Sequence, residues 1–192
     1  MSVGKSLAGA VSILAIALAG CANVDRVGTT TQRNYSPSML NDIAKRGGMP
    51  LVVHGAPFGE RTDAFARMAA DRLTNDRFGP EFTVYPQGSE VQGIDEAGNP
   101  WKTVLIVNSD TAVTNSNACT ASPGSRGTSD GRVEILAALC RGDKAVTSIR
   151  GWAYAIAGPT STRLRDLLKN IALNLYPQRD EDRDGADPDM PV

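Results

Sequence analysis

Trp101-Lys102-Thr103-Val104-Leu105-Ile106-Val107-Asn108 holds four consecutive aliphatic residues, so an extended chain would be apolar on both faces here. Side chains alternate across a strand, and a strand apolar on both sides must be covered on both. The run therefore predicts a central strand. Upstream, Pro50 to His54 contains Leu51, Val52 and Val53 and stops at Gly55-Ala56-Pro57, as a buried strand does. A helix is predicted from about Arg61 to Asn75, with Thr62 available as its cap. Phe65, Met68, Ala69 and Leu73 form its apolar stripe, and Asp63 and Arg67 stand four apart on its wet side. Phe82 to Tyr85 reads as another strand, which makes strand, helix and strand a crossover unit if the two strands are parallel.

Downstream, residues 109 to 131 are rich in Ser, Thr, Asn and Gly, and a connection that long in a compact domain is functional or pinned. Val133 to Cys140 fits either helix or strand. The turn residues Arg141-Gly142-Asp143 and the alternation from Lys144 to Tyr154 favour two strands of a hairpin. From Ser161 to Tyr176 the residues Leu164, Leu167, Leu168, Ile171, Ala172 and Leu175 keep helical spacing, and Pro177 ends the helix. A shorter helix is predicted from Pro37 to Arg46, capped by Ser36 and stopped by Gly47-Gly48. The fold class expected is α/β or α+β: a single domain over residues 36–178, with a mixed sheet of four or five strands covered by two or three helices.

The amino terminus has a different logic. Lys5 precedes an apolar core from Leu7 to Leu18, and small residues follow, the three-part layout of a secretory signal. This core falls short of the roughly 20 apolar residues that span a bilayer. Leu18-Ala19-Gly20-Cys21 resembles the lipobox of bacterial lipoproteins, in which the cysteine thiol receives a diacylglyceryl group and the chain is cut just before it. That resemblance implies a signal peptide over residues 1–20, acylated Cys21 as the first mature residue, and a lipid bilayer as its partner. Several acyl chains hold a protein far more firmly than one. Ala22 follows the cysteine where an aspartate tends to signal inner-membrane retention, so the resemblance implies the periplasmic face of the outer membrane. The polar residues 21–35 are expected to form a flexible tether that holds the domain roughly 20 Å from the lipid, and the aspartate-rich residues 179–192 a disordered tail.

The chain has 20 basic and 21 acidic residues, and loss of Lys5 with the signal leaves a net charge of −2. A balance so close to neutral gives no electrostatic reason to expect nucleic acid as a partner. Of the three cysteines, acylation accounts for Cys21. Cys119 and Cys140 are then expected to form a disulfide in an oxidising periplasm.

Residues Leu51 to Pro57 also resemble the early strand and His-Gly turn of α/β-hydrolases, a likeness of about 35 residues when the next helix and strand are included. That family carries its nucleophile in Gly-x-Ser-x-Gly and its base late in the chain. Neither is present, since His54 is the one histidine. Asp180 to Gly185 matches the first half of a calcium loop of EF-hand type, but its twelfth position is Pro191 rather than a bidentate acid. Arg141-Gly142-Asp143 spells an adhesion tripeptide that a hairpin turn explains as well. The expected role is therefore non-enzymatic: a tethered binding or assembly domain with an envelope protein or cell-wall partner, no metal and no cofactor. A divergent hydrolase using His54-Gly55 is the alternative.

Overall fold

The computed structural model describes residues 25–57, 62–91, 94, 98–127 and 131–179. The expected signal peptide, Cys21 and the aspartate-rich stretch from residue 180 onward lie outside the described residues. The elements in chain order are β1 (Arg26–Val27), β2 (Thr31–Gln32), α1 (Ser38–Lys45), β3 (Gly48–His54), α2 (Thr62–Asn75), β4 (Thr83–Pro86), β5 (Trp101–Val107), β6 (Val133–Arg141), β7 (Lys144–Ala153) and α3 (Thr162–Leu175). They form one mixed sheet in the order β1-β7-β6-β5-β3-β4, with β2 also on β7. The class is α+β, with three helices and seven strands among the described residues. Five long strands were legible as apolar or alternating runs; the other two are two-residue pieces that such patterns cannot register.

β5 lies in the interior, parallel to β3 and antiparallel to β6. Its two apolar faces meet different layers. Trp101, Leu105 and Val107 share a core with Ile135 and Leu139 of β6 and with the buried stripes of all three helices, whose Leu40, Ile43, Leu73, Leu164, Leu168 and Ile171 are fully enclosed. Burying each such side chain contributes about 1.5–3 kcal/mol before chain entropy is counted. Val104 and Ile106 point the other way, into a smaller core with Leu136, Ala138, Val113, Ala118 and the two cysteines. The long segment after β5 thus covers the second face of the sheet. β3 and β4 pair in parallel around α2, as the crossover pattern requires.

Two boundaries differ from expectation. Ser36 does not cap α1: Pro37 occupies the N-cap position without a side-chain cap bond, and the Ser36 hydroxyl meets that of Ser38 at 2.9 Å. Thr62 is the first residue of α2, inside the helix.

The larger correction concerns the tether expected over residues 21–35. From Asp25 onward this segment is a strap bound to the outer edge of β7. Arg26 and Val27 pair with Trp152 and Gly151, and Thr31 and Gln32 with Ser148 and Thr147. Between and beyond them the amides of Gly28 and Arg33 donate to the carbonyls of Arg150 and Val146, each at 2.8 Å. The physical reason is the edge of β7, whose unpaired donors and acceptors are satisfied by a polar strand that brings no apolar pattern of its own. Tyr35 closes the strap, buried and with its hydroxyl donating to the Pro177 carbonyl.

Candidate functional site

His54 ends β3, partly buried. Desolvation, and secondarily the nearby Lys102 ammonium, holds its pKa below the usual 6.5. The next residue, Gly55, has φ +81°, and a Cβ there would lie 2.5 Å from Ser125 Oγ. Only glycine suits that conformation and that approach. Ser125 lies against this turn, but its hydroxyl donates to the Val107 carbonyl at 2.9 Å, pinning the covering segment to the end of β5. Among the described residues no hydrogen bond joins His54 to a hydroxyl or a carboxylate. The general-base contact that an activated serine needs is therefore not assembled here.

Cys119 and Cys140 are joined in a disulfide, Cα atoms 5.8 Å apart, that ties the covering segment to the end of β6. Arg150 adds a second tie, donating to the Val113 carbonyl at 2.6 Å while its guanidinium meets Glu134. Asn115 Nδ2 donates to Thr31 Oγ1 at 2.9 Å, so the segment also touches the strap. Trp101 is core, its indole N–H donating to Asp42 at 2.7 Å. That bond, with Arg46 close by, holds the Asp42 carboxyl below its ordinary pKa. Among the described residues no group of three or more His, Cys, Asp or Glu is placed to hold a metal. The calcium-like Asp180 to Gly185 lies outside the described residues.

Two hollows remain. The larger, about 520 Å³, surrounds Arg77. That guanidinium sits 3.5 Å from the centre of the Phe82 ring and donates to the carbonyls of Pro80 and Phe82. Its donors are turned into the fold, where Phe82 packs edge-on against Tyr176 at 5.6 Å. Burial pushes the Tyr176 phenol well above its ordinary pKa, and its hydroxyl meets Thr103 Oγ1 at 2.9 Å. This is a structural knot rather than a receptive surface.

The second hollow is a cleft of about 390 Å³ at the β6–β7 hairpin. Three separate segments supply its polar lining: Arg33 and Asn34 from the end of the strap, Ser116 from the covering segment, and Arg141, Asp143 and Lys144 from the hairpin. Arg141 and Lys144 pair across the two-residue loop, in which Gly142 takes the positive φ of +59° that such a loop needs at its first position. The Arg-Gly-Asp tripeptide is thus a turn, and its charged members face a cleft. Strand patterns located the hairpin, but nothing in them brings Arg33 to it. The signal lay in the polar run before Tyr35, which reads as linker until β7 is seen to need a partner.

No family model and no curated protein sequence matches the chain. Among solved structures it is similar to the PelC dodecamer from Paraburkholderia phytofirmans, in crystals of space group P6 at 16% identity and a TM-score of 0.45, covering 81% of this chain and 100% of that one. A point variant of the same dodecamer in space group C2 gives 16% identity, a TM-score of 0.44 and the same coverage.

Proposed function

We propose that this chain is a lipoprotein of the bacterial envelope, acylated at Cys21 on the periplasmic face of the outer membrane, and that it serves as a binding or assembly domain rather than an enzyme. The observation that carries the reading is Leu18-Ala19-Gly20-Cys21 at the end of a short apolar core. The unassembled surroundings of His54 favour binding over catalysis.

The strap gives this reading a geometry. Three residues lie between Cys21 and Asp25, four Cα steps with a reach of at most about 14 Å. Asp25 is fixed to the body, its carboxylate accepting from the Tyr154 amide at 2.9 Å and from Arg163 at 3.5 Å. An acyl group on Cys21 would keep this end of β7 next to the lipid. The hairpin cleft sits at the other end of the same ten-residue strand, about 30 Å along it.

Mass spectrometry of the protein made in its own cells tests the anchor. The expected amino-terminal fragment begins at Cys21 and carries acyl chains; a first residue upstream of Cys21, or an unacylated thiol, overturns it. The binding role is tested by pull-down from native membranes, which is expected to recover an envelope component. Labelling of the folded chain by a serine-reactive probe, lost in His54→Ala, would instead establish the hydrolase.

A further inference from the structure

We infer that the hairpin cleft is a binding site for a sugar-sized anion, a saccharide unit bearing carboxylate or phosphate. The inference does not depend on acylation of Cys21. Three cations, Arg33, Arg141 and Lys144, line a cleft that has one carboxylate on its wall, Asp143. Among the described residues none of the three is ion-paired, whereas Arg46, Arg67, Arg72, Arg132, Arg150 and Arg163 each have an acidic partner within 4.0 Å. Asp42 attracts Arg141 at longer range, but its carboxylate oxygen is taken by Trp101 and Arg46. Arg141 is steered instead by the Trp101 ring, 5.5 Å from its guanidinium carbon. A cation–π contact occupies no N–H donor, and among the described residues the Arg141 side chain makes no hydrogen bond or ion pair, so its donors are available to a ligand.

Placement supports a built site over a chance surface cluster. The Arg33 backbone is fastened to Val146 and the hairpin is closed by its own loop. Ser116 belongs to a segment pinned at Asn115 and Cys119. The cations thus stand on two anchored segments and Ser116 on a third, so part of the ordering cost of binding is already met in the free protein. A volume of about 390 Å³ falls in the range of small-molecule sites. Asn34, Ser116 and Asp143 supply the donors and acceptors that sugar hydroxyls require, and Arg141 presents a fork suited to a planar carboxylate or to phosphate.

Titration calorimetry of the full chain in neutral detergent tests this, with digalacturonic acid and glucose 1-phosphate as anionic probes and cellobiose as the uncharged control. At least one anion is expected to bind, and which one tells carboxylate from phosphate. Cellobiose is expected not to bind. The double variant Arg33→Ala/Lys144→Ala should weaken binding about tenfold or more, with Arg67→Ala on α2 unchanged. Raising salt from about 0.05 to about 0.5 M should also weaken it severalfold. Should the double variant fail to fold, Lys144→Gln alone, at an exposed position, must cost about threefold. No binding by either anion, equal binding of cellobiose, or binding indifferent to these substitutions overturns the proposal.

Discussion

His54 is the chain's one histidine, so its ionisation is readable without assignment. Burial and Lys102 disfavour the imidazolium in the folded protein. The unfolded chain therefore binds more protons below pH 6.5, and the sign follows: stability is highest above that value, declines as pH falls through the depressed folded pKa, and then levels off. The imidazole signals in a proton NMR titration should show a midpoint below 6.5, and His54→Gln should remove the pH dependence of the melting temperature in that window. A midpoint at or above 6.5 contradicts this account. His54 was legible as the end of a buried strand, and Gly55 as a turn residue. That the Ser125 hydroxyl lies against this turn and is committed to a backbone carbonyl was not, because Ser125 comes 70 residues after Gly55 and belongs to a segment with no pattern.

The covering segment between β5 and β6 is the element most dependent on a single bond. The composition of residues 109 to 131 marked it as needing a pin, and Cys119 was the residue available. The structure shows what the pin holds: Val113, Ala118 and Cys119 close the second core against Val104, Ile106, Leu136 and Ala138. The cysteines are 21 residues apart, and the chain-entropy relation gives about 3 kcal/mol for closing such a loop. Replacing both cysteines by serine should therefore lower the urea-unfolding free energy by about 3 kcal/mol, somewhat more if the second core loosens. Binding of an apolar dye to the variant would report that loosening. A loss under about 1 kcal/mol would mean that Arg150, Asn115 and Ser125 hold the segment without the covalent link.

At the scale of the whole molecule, the described residues form two cores that are opposite faces of the same strands. β5 and β6 contribute to both, so neither can be lost without stripping a face from the other. Unfolding is therefore expected as one cooperative transition, with calorimetric and van't Hoff enthalpies in agreement. A van't Hoff value well below the calorimetric one would show that the covering segment melts apart from the helical side. The strap belongs to the same unit, because its hydrogen bonds run along β7 and Tyr35 reaches the end of α3.

The amino-acid pattern was sufficient for the five long strands, the three helices and the crossover unit, because each buries a face whose spacing along the chain is the spacing of the element itself. It was also sufficient to nominate the lipobox and the cysteine pair, which are local or compositional signals. The strap and the hairpin cleft belong to the tertiary structure alone. Two-residue strands held by backbone hydrogen bonds leave no periodic trace, and Arg33 meets Arg141 and Lys144 only because the free edge of β7 carries a polar segment from one end of the sheet to the other.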